Sequence, residues 1–462
     1  MKNRFSLLIA VVALSFSVGV LWLSAAPAGK KAQIEKVVTS PDNKISLAFS
    51  LTDGTPAYAV NFKKRPAILS SALGFELKDG AMKTGFTLLD ARKSSKDETW
   101  TQPCGEQRQM RNHYNELAVS LQQAGDQERK LRIIFRMFDD AIAFRYEWPE
   151  QPSLKDFDIM DELTEFAFPS DHMVLWQPAL RPQQTEQLYA KTRLSELLRQ
   201  TRLEYGDAVA GDNPKKDPVK AVTTPLIMQT DDGIFLVIHE ADLTDYAAME
   251  LQPRDNNTLK CYLAPWSDGV RVKASAPAVS PWRFVMISDK LSDIVEKTSA
   301  TALNLNPPSR IADTSWIKPG KYIGIWWGMH LGKYTWNPSK PGDGSSDGLG
   351  ATTKNTREYI DFASKYGFSG VLVEGWNKGW AKDWVAHAAV FSFTEPNPEF
   401  DLPGLAAYAH EKGVDLISHH ETGAVITNYE AQVEAAFAQC ERLGIQTCKI
   451  WLRRHGAPCE PL

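Results

Sequence analysis

Three short apolar runs, each ending in residues able to do chemistry, constrain this chain most: Tyr322-Ile-Gly-Ile-Trp-Trp327, Gly370-Val-Leu-Val-Glu-Gly-Trp376 and Asp415-Leu-Ile-Ser-His-His-Glu421. The segments between them, Lys354 to Tyr366 and Pro403 to Lys412, read as helices. Strand, helix, strand, helix, strand at this spacing predicts a parallel sheet with crossover helices. Such sheets gather catalytic groups at the C-terminal strand ends, where rigid strands hold side chains beneath variable loops. Glu374 and Glu421 fall at such ends. A further helix is expected over Asn428 to Arg442, with Tyr429, Val433, Ala436 and Phe437 at helical spacing, and a fourth strand over Ile445 to Trp451. Four strands do not close a (β/α)8 barrel, which needs eight. The second domain is therefore expected to be incomplete or a smaller open fold.

Upstream, Ile34 to Asp289 is a succession of short apolar or alternating runs, among them Ile45 to Leu51, Leu131 to Phe138, Ile142 to Trp148 and Trp282 to Ile287. Turn signals such as Thr52-Asp53-Gly54 separate them. This pattern predicts a large antiparallel sandwich with one weak helix around Leu188 to Gln200. Asp207 to Lys220 reads as a polar loop, and Leu303 to Ser309 as a Pro-stiffened linker. The loop Pro338 to Gly350, rich in Gly, Pro and Ser, follows the first strand of the second domain, where it can border a site. The expected fold class is multidomain, β then α/β. The expected domains are an export segment over 1–28, a β-sandwich over 29–304, and the first part of a barrel over 305–462.

With 462 residues the chain is long enough for two cores, and its net charge of −4 argues against a nucleic-acid partner. Fourteen Trp fit carbohydrate handling, because an indole face can stack on a sugar ring; for any one Trp, packing in a core is the commoner use. Lys2 and Arg4 precede an apolar run from Phe5 to Leu23 and the small residues Ser24-Ala-Ala-Pro-Ala28, the pattern of an export signal. An exported, periplasmic protein with no other membrane attachment is expected. The five cysteines show no metal spacing, their odd number cannot all pair within one chain, and no disulfide is assigned.

Two strand-end carboxylates suit acetal hydrolysis, in which one group protonates the leaving oxygen and another activates water. A Glu at a strand end equally serves to pair an Arg or cap the next helix. His419-His420-Glu421 is not a zinc motif, since the three residues are consecutive. On a strand, His419 and Glu421 share one face and His420 takes the other. In the first domain Glu186 and Glu240 are candidates for contacts across the domain interface, with a solvated surface carboxylate the plainer reading for these and for Glu116 and Glu147.

These stretches resemble glycoside hydrolase family 97, which includes starch-utilisation α-glucosidases and related α-galactosidases. The matching pieces include Arg111-Asn-His-Tyr-Asn-Glu116, Phe135-Arg-Met-Phe-Asp-Asp-Ala-Ile-Ala-Phe-Arg-Tyr-Glu147, Gly324-Ile-Trp-Trp-Gly328, Glu374-Gly-Trp-Asn377 and His419-His-Glu-Thr422, and they run in order from Val38 to Thr447. The resemblance implies an N-terminal β-super-sandwich followed by a (β/α)8 barrel, and an exo-acting, calcium-dependent α-glucosidase of inverting mechanism on starch-derived α-linked oligosaccharides. It implies Glu421 as a base, Glu374 as an active-site carboxylate, His419 and His420 as sugar contacts, Thr223 and Thr224 as a further sugar contact, and Glu186 as a calcium ligand.

After Thr447 the sequence departs from the family, reading Cys448-Lys-Ile-Trp-Leu-Arg-Arg454. The general acid, a second base and the other calcium ligands lie downstream in the family. An incomplete (β/α)8 barrel with unpaired strand edges is therefore expected, through a shifted frame or a truncation, together with loss of hydrolysis by this chain. The rival readings are an α-galactosidase-like member and a non-catalytic sugar-binding remnant that engages glycans through Trp326, Trp327 and Trp376.

Overall fold

A computed structural model describes residues 33–102, 105–125, 128–177, 179, 189–197, 221–266, 268–297, 299–304, 310–335, 348–380, 388–423 and 425–451. The export segment, Glu186, the loop Asp207 to Lys220, residues 305–309 and 338–347, and the tail from Leu452 lie outside the described residues. Among the described residues no helix is long and apolar enough to cross a membrane.

The first part of the chain is a β-sandwich of antiparallel sheets. Gln33–Thr39, Ile45–Thr52, Thr55–Phe62 and Arg65–Ala72 form a four-stranded meander. Asp53 and Gly54 turn its central hairpin with positive φ at both residues, the geometry that matches strand twist in a two-residue loop. A ten-stranded sheet has Trp282–Ser288 and Ala141–Trp148 at its middle and Phe86–Thr101 at one edge. Alternation explains the packing. Ile45, Leu47, Phe49 and Leu51 all point inward, and rings from both sheets meet, with Tyr58 4.9 Å from Phe144 and Phe75 edge-on to Tyr146 at 4.6 Å. Trp282–Ser288 is buried along its whole length, because Ala302 and Leu303 of the Ser299–Leu303 helix help cover the second face of the sheet.

Arg283 lies in that buried strand. Its Nε donates to Glu162 Oε1 at 2.8 Å and a terminal nitrogen donates to Glu240 Oε2 at 2.9 Å. Glu162 Oε1 also accepts from the Thr164 hydroxyl at 2.8 Å. Glu240 is therefore part of an internal ion network rather than an interface contact. Glu116 and Glu147 are likewise paired, with Arg136 at 2.9 Å and Arg145 at 2.7 Å. The helix expected around Leu188 to Gln200 is, over its described part, the strand Ala190–Arg193 followed by a single 3-10 turn at Leu194–Glu196. Pairing with Met173–Trp176, locked by a bond from the Trp176 indole to Thr192 at 3.1 Å, overrides local helix preference.

The second part is a partial α/β domain. Tyr322–Gly324, Gly370–Leu372, Asp415–Glu421 and Cys448–Trp451 lie side by side in chain order, all parallel. The crossover helices Thr353–Tyr366, Leu402–Glu411 and Val433–Leu443 connect them. The first and second strands are shorter than the apolar runs predict. The chain leaves the sheet at Ile325 and turns into a short helix, Trp326–His330. At Gly370 a Cβ would stand 2.8 Å from Ile417 Cδ1, so glycine permits close approach of adjacent strands.

The helix Thr353–Tyr366 begins where the Thr352 hydroxyl accepts from Asn355 N at 3.1 Å and stops at Gly367, φ 73°. Its buried stripe is Thr356, Ile360 and Ala363. Thr352→Ala is expected to lower unfolding free energy by about 0.5–2 kcal/mol. A urea midpoint equal to wild type would show that the cap contributes nothing.

Candidate active site

The Asp415–Glu421 strand carries His419, His420 and Glu421 to its C-terminal end, and all three are buried. Glu374 stands two residues beyond the neighbouring Gly370–Leu372 strand. On the other side, His419 pairs in register with Lys449, so both project from the same face. That face is where they meet Glu374. Lys449 Nζ donates to Glu374 Oε1 at 2.8 Å, and His419 Nε2 lies 3.9 Å from the same oxygen.

His419 is only 1% exposed, and among the described residues neither ring nitrogen has a hydrogen-bond partner. Burial, with the nearby Lys449 ammonium and His420, pushes its pKa down to about 3, so the ring is neutral at ordinary pH. A neutral imidazole offers one donor and one acceptor. Two buried nitrogens without partners are costly unless a ligand or water meets them.

The surroundings hold this group rigidly. The Trp376 indole donates to the His419 carbonyl at 2.8 Å, and the Trp380 ring lies 6.2 Å from the His419 ring. Trp380 Nε1 donates to Asn377 Oδ1 at 2.8 Å, and Asn377 Nδ2 donates to the Ser392 carbonyl at 2.6 Å. Asn397 bonds the carbonyls of Ala351 and Gly375, pinning the turn that presents Glu374. Glu421 Oε1 accepts from the Gly423 amide at 2.8 Å. Gly423 has φ 53°, and a Cβ there would collide with Ala388, so that amide is positioned by a residue that must be glycine.

The structure thus brings Glu374 and His419 together and places Glu421 on the same strand face as His419. It does not bring His420 to them. That ring lies on the helix side of the sheet, its Nδ1 3.1 Å from the Tyr429 hydroxyl and its plane edge-on to Phe393, Tyr429 and Phe437. The sugar-contact expectation for His420 is corrected for the reason strand alternation gives: adjacent residues face opposite ways. Thr223 and Thr224 belong to the sandwich, where Thr223 N donates to the Gln177 carbonyl at 3.0 Å and Thr224 Oγ1 lies 3.1 Å from His239 Nδ1. Trp376 is 3% exposed and its indole is engaged, so it offers no open stacking face, whereas Trp327 is 63% exposed. Lys449 escaped the sequence reading. Nothing in its own stretch of sequence marks it, since only strand register sets it opposite His419 on the next parallel strand.

Calcium needs several hard oxygen ligands. Among the described residues no three His, Cys, Asp or Glu side chains converge on a metal position, while one oxygen of Glu374 is held by Lys449 and one of Glu421 by an amide. Glu186 lies outside the described residues. The described groups do not form a calcium shell.

A β-sandwich followed by a partial α/β domain, with buried carboxylates and a histidine at the strand ends, defines a two-domain class of protein with a strand-end site. Within it, the chain belongs to glycoside hydrolase family 97: the family's N-terminal domain model matches residues 38–308 and its Glycoside hydrolase 97 model matches residues 326–455. A retaining alpha-galactosidase from Bacteroides thetaiotaomicron is 26% identical over 420 residues, covering 84% of this chain and 56% of that protein. Family 97 enzyme structures from Pseudoalteromonas sp. strain K8, in complex with acarbose and with panose, each superimpose with a TM-score of 0.78 at 39% identity, covering 90% of this chain and 59% of theirs. The chain spans somewhat over half the length of these relatives.

Proposed function

We propose that this chain carries the base side of an inverting exo-α-glucosidase site for starch-derived oligosaccharides. The observation that carries the reading is the buried His419, whose ring nitrogens find no partner among the described residues, facing the Glu374–Lys449 ion pair at the strand ends. A sugar presents hydroxyls that donate and accept at once. Neutral His419 can do both, Glu374 can accept, and Lys449 can donate, in a place from which water is largely excluded. Glu421, aimed by the Gly423 amide, is the proposed base that takes a proton from the attacking water. In an inverting enzyme that base stands ~6.5–9.5 Å from the acid, leaving room for the water.

The glucoside assignment is supported by the higher identity to enzymes solved with acarbose and panose, 39%, than to the Bacteroides retaining alpha-galactosidase, 26%. The name of that relative is what favours the second reading, an α-galactosidase-like enzyme of retaining mechanism. Export to the periplasm and a calcium requirement, with Glu186 among the ligands, belong to the same proposal and rest on the sequence alone.

Calorimetric titration separates the two readings. Acarbose and panose are expected to bind the chain while galactose-terminated raffinose does not. Binding of raffinose without acarbose would overturn the glucoside reading in favour of the galactoside one.

A further inference from the structure

The Val433–Leu443 helix lies against the helix side of the parallel sheet, and its buried residues include Ala436 and Cys440. Phe437 sets its position along the strand beneath, since its ring lies 5.9 Å from the His420 ring. The helix runs opposite to the strands it connects. One turn further along, a rise of about 5 Å, brings Cys440 back over the position two residues earlier on the strand, which is Ser418. Cys440 packs in the same apolar cluster as Leu416, the next residue of that face. Ser418 is also the register partner of Cys448 on the neighbouring parallel strand, so the two side chains share that face. Three independent features (helix phase, strand alternation and strand register) therefore converge two thiols on one hydroxyl.

We propose that Cys440 and Cys448 are a disulfide-forming pair, which ties the Val433–Leu443 helix to the strand bearing Lys449 when the chain meets a disulfide oxidant. Both cysteines are free thiols in the structure, Cys448 partly exposed and Cys440 buried. The Cys448 thiolate attacks a sulfur of glutathione disulfide and releases one glutathione thiolate. The Cys440 thiolate then attacks the Cys448 sulfur of the mixed disulfide and releases the second. Two thiol protons leave to solvent or to the departing glutathiones, and two electrons pass to the oxidant. Burial raises both thiols, Cys448 to about 12, so the thiolate is scarce at neutral pH and exchange accelerates with pH. The loop closed is short, so the effect falls on this helix and strand rather than on global stability. This inference goes beyond the sugar-binding proposal and does not depend on it.

The test is to incubate the folded full chain with glutathione disulfide at mildly alkaline pH, alkylate, and digest with trypsin without reductant. Trypsin cuts after Arg442, between the two cysteines. The expected result is a linked peptide pair, two hydrogens lighter than its parts, that forms faster as pH rises. Cys440→Ser is expected to abolish it and to leave Cys448 as a stable glutathione adduct. Accumulation of that adduct in the wild type, pairing of Cys448 with another cysteine, or full alkylation of both residues on later denaturation would each overturn the proposal.

Discussion

Arg283→Met is expected to cost about 3–5 kcal/mol of unfolding free energy, because it strands two buried carboxylates that share one guanidinium. Arg283 is wholly inaccessible, and Glu162 and Glu240 approach it from different strands of the sandwich. Burial alone would raise the Glu162 carboxyl; the Arg283 charge and hydrogen bonds outweigh it and hold the group below its ordinary value of 4.5. The sign follows from linkage. A folded-state value below the unfolded one contributes stability above the ordinary glutamate range, and that contribution is lost as pH falls through the lowered value. Urea transitions across acidic pH check both statements. The double variant Glu162→Gln with Arg283→Met is expected to recover part of the loss and flatten the acid slope, since only Glu240 is then left without its cation.

Lys449→Met is expected to weaken acarbose binding about ten- to hundredfold, the range for losing a hydrogen bond to a charged group. It removes the donor 2.8 Å from Glu374 and leaves that buried carboxylate without its cation. It also removes the second cause of His419's depression, so the ring's pKa rises while burial, the first cause, keeps it low. Wild-type affinity is therefore expected to show no histidine-type break near the ordinary value of 6.5. Stability behaves otherwise. Folded His419 and His420 are held near 3 and 4, whereas unfolded histidines titrate near 6.5, so the unfolded chain binds more protons between these values. The parallel-sheet domain is expected to lose stability as pH drops below 6.5. Titration calorimetry and thermal unfolding over that range check the pair of statements.

Much of the architecture is legible in period-two and helical patterns. Asp415–Glu421 is a strand over the same residues as its apolar run, and the helices expected at Lys354 to Tyr366 and Pro403 to Lys412 form within one residue of those bounds. Elements decided by partners rather than by their own residues were not legible. Phe86–Thr101 is a sixteen-residue strand rich in exposed polar and charged residues, held by pairing with Gln109–Gln123 and by cross-strand pairs such as Arg111 with Asp97. Ala190–Arg193 is a strand because Met173–Trp176 claims it. At the site, alternation correctly separated His419 from His420. The resemblance assigned both to the sugar, and the aromatic cage of Phe393, Tyr429 and Phe437 shows why only one faces Glu374. Lys449 was invisible because its partner is seventy-five residues away in sequence and is brought close by strand register.

The central claim is that a sugar ring binds at the Glu374, His419 and Lys449 cluster. A crystal structure of the chain soaked with acarbose tests it most directly. Ring density is expected on that face of the sheet, with hydroxyls within hydrogen-bonding distance of His419 Nε2 and the Glu374 carboxylate. Density elsewhere, or a saturated complex in which the His419 ring nitrogens still lack a partner, would contradict it.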